Sequence, residues 1–304
     1  MASDHMSDAP RWELTPQDEA YPRQLLELEQ VPERIYGRGD PAVLSTMCLG
    51  IVGARRPTPY GEAVASMAGR IAAESGITVV SGGAMGCDAA AGRGALDVGG
   101  RTIVVSGVPA DRIYPKSSQD VFLGALRNGG AVISLAPWGS EIQRWSFLQR
   151  NRIIAALSVA LLVSEAGQHS GTMSTALAAT ELGREVYAAP GSIFSPESQG
   201  SNGLIRDGAH IVTCEQDLEM LISRDYGVLR LLSEQLPTPR GRVLSALVAS
   251  PMRPDDLANH LGEEPLDMLR ILSDYEIQGV VRRLPDGRFA PTQETLLGQG
   301  RMGA

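Results

Sequence analysis

Short apolar runs alternate with longer amphipathic stretches through the middle of the chain. The runs 48–52, 78–81, 102–106, 131–134, 159–164, 185–189 and 209–213 are predominantly hydrophobic rather than alternating in polarity. That is the pattern of strands covered on both faces. Between them, 62–75, 89–98, 120–128, 147–157, 172–182 and 200–207 carry a helical period. Strict β–α alternation predicts an α/β fold built on a mostly parallel, doubly wound sheet. Such sheets take ligands at the carboxyl ends of their strands, near a topological switch point.

The flanks read differently. Residues 7–46 form a polar lead-in, with a short helical stretch at 21–29, expected to pack on the sheet domain of 47–222. Residues 223–241 read as a connector ending in the Pro- and Gly-punctuated 236–241. Three helical stretches at 242–249, 254–260 and 264–278 precede a hairpin turning at Pro285, Asp286 and Gly287. That order predicts a small C-terminal winged-helix-like domain over 242–292. Residues 293–304 read as a flexible tail, and 1–6 as an expression-tag remnant that is set aside.

Composition narrows the classes. The longest apolar run, 153–163, is too short and too rich in Ala and Ser to span a bilayer, and no export signal opens the sequence, so a cytoplasmic chain without membrane insertion is expected. Cys48, Cys87 and Cys214 are odd in number, widely spaced and set among apolar or small residues, which predicts buried free thiols rather than disulfides or a metal site. The net charge of −8 argues against coating of duplex DNA by bulk charge. A local basic groove remains possible, because charges are screened beyond about 8 Å at physiological salt. Lys116 is the only lysine in the chain, every other permanent cation being arginine. It is either incidental in an arginine-rich background or a site where a compact ammonium suits the chemistry.

Four loops after predicted strands offer phosphate chemistry. Gly53, Ala54, Arg55 and Arg56 combine small residues with two guanidiniums, and Ser81, Gly82 and Gly83 let a backbone approach an anion. Arg150, Asn151 and Arg152, with Arg144, Trp145 and Phe147 close by, pair cations with rings as a nucleic-acid strand requires. Ser170, Gly171 and Thr172 open a helix and present hydroxyls. Each loop also has a plain structural reading as a tight turn, a helix cap or a core-packed helix; Asp88, for example, can cap the helix it begins. No dinucleotide fingerprint or P-loop is present, and Asp88, Asp111, Glu165 and His169 lack partners for acid–base or nucleophilic work, so no enzyme activity, catalytic residue, metal or cofactor is predicted.

The motifs GIVGARRPTPYG (50–61), TVVSGGAMGCDAAAGRGAL (78–96), RIYPK (112–116), RNRIIAALS (150–158), the block 164–192 and GSNGLIRDGA (200–209) resemble those of the DprA/Smf DNA-processing family. The resemblance implies an extended Rossmann-like domain that binds single-stranded DNA, forms homodimers and helps to load a RecA-type recombinase during recombination and natural transformation, displacing or working beside single-strand-binding protein. It implies phosphate contacts for Arg55 and for Lys116. The chain departs from the family pattern at Met85, Gly92, Leu135 and Gln149. The alternative is a small-nucleotide sensor or nucleoside-monophosphate hydrolase of a related Rossmann-like family, but Glu181 stands far from the Ser170-Gly171-Thr172 turn. In the C-terminal region Asp267, Asp274 and Glu276 disfavour duplex DNA, leaving the wing arginines Arg282, Arg283 and Arg288 as its support and a protein contact as the expected role.

Overall fold

The structure, a computed structural model, describes residues 9–141, 145–228, 243, 244, 246, 247, 250–292 and 295. Arg144, residues 229–242, half of the helix expected at 242–249 and the tail apart from Thr295 lie outside the described residues. The chain divides into two compact units, Met1–Leu231 and Leu232–Ala304.

The first unit is a nine-stranded sheet in the order β1-β2-β6-β5-β4-β3-β7-β8-β9. The central strands are β3 (Cys48–Val52), β4 (Thr78–Ser81), β5 (Thr102–Ser106), β6 (Ala131–Ser134), β7 (Ala160–Val163) and β8 (Glu185–Ala188). They pair in parallel, as does the two-residue β9, His210–Ile211. The lead-in departs from expectation. Arg11–Leu14 (β1) and Ile35–Gly39 (β2) pair antiparallel with each other, and β2 pairs antiparallel with β6, so this segment extends the sheet. The helix expected at 21–29 is one short 3-10 turn, Arg23–Glu27.

Side chains of β3 alternate across the sheet. Cys48 and Val52 join the core that faces the lead-in and the helices α4 (Ser146–Leu157) and α5 (Gly171–Glu181). Leu49 and Ile51 join the opposite core, under α1 (Pro59–Glu74) and α2 (Cys87–Asp97). α1 starts three residues earlier than its apolar period suggests, because Thr58 caps it, with its hydroxyl accepting from the Gly61 amide at 3.3 Å, and Pro59 supplies a fixed φ at the first position. α1 and α2 pack almost backbone to backbone: a Cβ on Gly69 would lie 2.1 Å from the Ala91 carbonyl oxygen, and one on Gly94 2.1 Å from that of Ser66.

The other helices of this unit are α3 (Gln119–Arg127), α6 (Gln199–Arg206) and α7 (Glu215–Tyr226). Tyr226 fastens α7 to the sheet. Its hydroxyl donates to the Cys48 carbonyl at 3.0 Å and accepts from the Ala160 amide at 3.2 Å, and its burial pushes the phenol well above the usual range. The order of strand addition reverses between the parallel neighbours β3 and β7: successive strands run outward from β3 as far as β6, then resume on its other side. The crevice between the β3 and β7 ends is where a doubly wound sheet leaves room for a ligand.

The second unit holds α8 (Pro254–Leu261), α9 (Pro265–Ile277) and a hairpin of β10 (Val281–Arg283) with β11 (Phe289–Pro291). Val243, Leu247, Leu257, Met268, Leu272 and Phe289 are among the side chains that form its core. Among the described residues no helix is long and apolar enough to cross a membrane.

Tyr226→Phe removes two hydrogen bonds and takes a partner from the buried Ala160 amide, while the Cys48 carbonyl keeps the Val159 amide. It is expected to lower unfolding free energy by about 1–3 kcal/mol in urea titrations; an unchanged midpoint would show that α7 is held by packing alone.

Candidate functional site

A cleft of about 670 Å³ opens at the carboxyl ends of β3, β4, β7 and β8. Gly53, Ala54 and Arg55 enter from the loop after β3, and Ala84 and Asp88 from the loop and helix after β4. Phe147, Leu148, Arg150 and Asn151 come from α4, Ser170, Gly171 and Thr172 from the start of α5, and Pro196 and Glu197 from the loop after β8. Glu165 fixes the first of these loops: its buried carboxylate accepts from the Thr58 amide and the Thr58 hydroxyl, both at 2.7 Å.

Arg150 forms the floor. It is 6% exposed, yet its charge is only loosely met: Nη1 stands 3.6 Å from Asp88 Oδ2, and Nε has no hydrogen-bond partner. Asp88 Oδ2 also accepts from the amides of Gly82 (3.1 Å) and Ala84 (3.4 Å). Burial pushes the Asp88 carboxyl up, with Arg150 and the two amides opposing. Burial lowers the Arg150 pKa, Asp88 opposes this, and nearby Arg55 lowers it further. A guanidinium starts so high that it remains charged. A buried cation lacking full compensation beside a second cation is an electrostatic demand for an anion.

Arg55 is exposed at the mouth, its guanidinium carbon 5.8 Å from the centre of the Phe147 ring. Phe147 in turn meets the half-exposed Tyr114 ring edge-on at 6.5 Å. Tyr114 and Pro115 line the same small side cavity as Arg55; Lys116 follows them in the chain but lines neither this cavity nor the main cleft. Lys116 is exposed, and neither it nor Arg55 makes an ion pair with another described residue.

Several sequence expectations change in three dimensions. The backbone cradle is largely closed: the Ala54 amide donates to the Glu165 carbonyl (2.8 Å), the Gly82 amide to Asp88, and the Thr172 amide to its cap Ser170 (3.2 Å). The hydroxyl of Ser81 points into the core, donating to the Ile51 carbonyl at 2.7 Å, and that of Thr172 donates to the Gly53 carbonyl at 2.8 Å. Gly83 packs against Val104 and Phe122, away from the cleft. Gly82 serves by having no side chain, since a Cβ there would sit 1.1 Å from Arg150 Nη1.

The basic triplet also separates. Asn151 stays at the cleft, donating to Ser174 Oγ at 2.8 Å, whereas Arg152 lies in a second groove beside Arg34, Tyr36 and Trp145. Arg56 is exposed but lines neither cavity. Positive charge at the site therefore comes from side chains rather than amides. Sequence reasoning assigned no site role to Pro196 or Glu197, which have no local motif, and saw Asp88 only as a cap or an acid–base candidate.

The family profile described as DNA recombination-mediator protein A matches residues 12–223, and the DprA winged helix domain profile matches residues 231–287. Protein Smf of Escherichia coli (strain K12) is 33% identical over 295 residues, covering 92% of this chain and 78% of that protein. Protein Smf of Synechocystis sp. is 39% identical over 219 residues, 71% of this chain, and the match spans only 54% of that relative's length. Among solved structures, DNA processing protein A from Helicobacter pylori, described in terms of its single-stranded DNA binding mode, superposes with a TM-score of 0.64 at 31% identity. That likeness covers 72% of this chain and 99% of the other.

Asp88→Asn leaves Arg150 buried without its counter-charge and is expected to cost about 3–5 kcal/mol of stability. Adding Arg150→Met should recover part of that loss; strictly additive losses in chemical denaturation would show the two groups to be uncoupled.

Proposed function

Because this chain belongs to the DprA/Smf family of DNA-processing proteins, we propose that it binds single-stranded DNA through the cleft at the β3–β7 switch point. The observation that carries the reading is the pairing of an under-compensated Arg150 on the floor with an exposed Arg55 at the mouth. One backbone phosphate sits between the two guanidiniums, which bind it by charge-assisted hydrogen bonds. The Phe147 and Tyr114 rings offer stacking faces to bases, and Lys116 takes a neighbouring phosphate as a point charge. Contacts of this kind read the sugar–phosphate chain and leave sequence unread.

In this reading the sheet domain of 47–222 holds the strand and the region 242–292 is an accessory domain. The chain acts without catalysis in the cytoplasm as a homodimer. It protects exposed or incoming strands, displacing or working beside single-strand-binding protein, and helps to load a RecA-type recombinase on them in recombination or natural transformation. These partner assignments rest on family likeness. A second reading, a mononucleotide ligand, is supported by the cleft volume of about 670 Å³, which is the size of a small-molecule site.

Arg55→Ala and Lys116→Ala are each expected to weaken labelled oligo-dT binding by roughly 10- to 100-fold, with unfolding midpoints unchanged. In log–log salt plots each lost phosphate contact should lower the slope by about 0.7. Anisotropy titrations with oligo-dT, its duplex and a nucleotide panel at two salt concentrations separate the readings. Unchanged titrations for both variants overturn the strand assignment, and a nucleotide that outcompetes oligo-dT establishes the second reading.

A further inference from the structure

The outward face of α9 does not suit DNA. α9 turns Met268, Leu272 and Tyr275 into the core of the second unit. It leaves Leu266, Leu269 and Ile277 at 63%, 46% and 85% exposure. With Ser273, these residues fall at successive steps of three or four along one side of the helix, so the stripe is continuous. In a winged helix the helix before the wing is the one that enters the major groove, where polar and basic side chains read base edges. Here three of the four positions carry large aliphatic side chains.

Charge points the same way. Residues 250–292 contain eight acidic side chains and five arginines. Arg253 donates to the Asp286 carbonyl at 3.1 Å, Arg270 stands 3.5 Å from Asp267, Arg288 pairs with Asp286 at 2.6 Å, and Arg283 lies over the Phe289 ring. Glu264 precedes α9, Asp267 lies in its first turn, and Asp274 and Glu276 lie in its last. Leu266 and Leu269 also line a cleft of about 600 Å³ with Pro254, Pro265, Arg253, Arg283, Asp255 and Asp286. Its two arginines are engaged by the Asp286 carbonyl and the Phe289 ring, and acids flank the exposed aliphatic stripe on α9.

We infer that this groove docks a basic amphipathic helix of a protein partner, with aliphatic anchors spaced three and four apart seated on Leu266 and Leu269 and its Lys or Arg flanks facing the α9 carboxylates. A second copy of this chain is the poorer occupant. A two-fold contact through α9 would set the acids of one copy (Asp267, Asp274 and Glu276) against the acids of the other. The inference stands apart from the strand-binding cleft, which belongs to the other unit.

The test uses the full chain with a synthetic helical Leu/Lys amphipathic peptide, a Leu/Glu peptide of the same apolar spacing and a short DNA duplex. The Leu/Lys peptide should bind at least about tenfold more tightly than the Leu/Glu peptide, and Leu266→Ser/Leu269→Ser should lose at least about tenfold of that affinity. Both substituted side chains are exposed, so the thermal melt should not move. Asp267→Lys/Asp274→Lys should reverse the preference between the peptides, which a merely structural role for these acids would not produce. The proposal is overturned if the Leu-to-Ser variant binds the Leu/Lys peptide as the parent does. It is equally overturned if duplex binding is what that variant loses, or if sedimentation shows a dimer that the variant dissolves.

Discussion

The cleft depends on a cation that the fold holds but does not neutralise. Arg150 lies on the floor with Asp88 at 3.6 Å, too long for a good hydrogen bond, and with Nε unpartnered. Taking a guanidinium out of water is costly, and a single carboxylate shared with two amides repays only part of that cost. The residual field is directed into the cleft, where Arg55 adds to it instead of cancelling it. Binding an anion would relieve both the burial cost and the repulsion between the two guanidiniums, which is why the site is better described as incomplete than as merely basic.

Everything that positions Arg150 works through close approach. Gly82 leaves the space the guanidinium occupies, and Asp88 reaches it from the first turn of α2 while holding the Gly82 and Ala84 amides. α2 is in turn fixed by its near-backbone contact with α1, which the small residues of both helices allow. Glu165 ties the Arg55 loop to the end of β7 through Thr58. Tolerance at these positions is low, because a close-packed interior transmits an added methyl as a displacement of its neighbours.

The two units divide the chain's charge. A protein of net charge −8 keeps a cationic cleft at the strand ends of one unit and an acidic, aliphatic helix face on the other. Screening confines each field to about 8 Å, so the overall charge does not decide what either surface binds. An acidic exterior still limits nonspecific attraction to nucleic acid and leaves the attraction for an anion strongest where cations converge.

The central strands and helices were legible in the sequence because parallel strands covered on both faces must be apolar throughout, and their connecting helices must carry a period near 3.6. Observed β3, β4, β5 and β6 coincide with the apolar runs. β1 and β2 were not legible: Arg-Trp-Glu-Leu and Ile-Tyr-Gly-Arg-Gly gain strand conformation from pairing at the edge of β6 rather than from their own pattern. Arg150 and Arg152 look equivalent along the chain, yet two residues of helix turn a side chain by about 200°, and only packing on the sheet decided which faced the cleft. The amide cradle failed for a related reason. Sequence shows that glycines and hydroxyls are available, but not which partners already occupy them; that is set by contacts between residues far apart in the chain, such as Glu165 with Thr58. The sequence by itself determined the layered fold, the position of its ligand-binding edge and the cations that could serve there. The tertiary structure alone decided which of those cations is left without full compensation, because neutralisation depends on distances that no local pattern encodes.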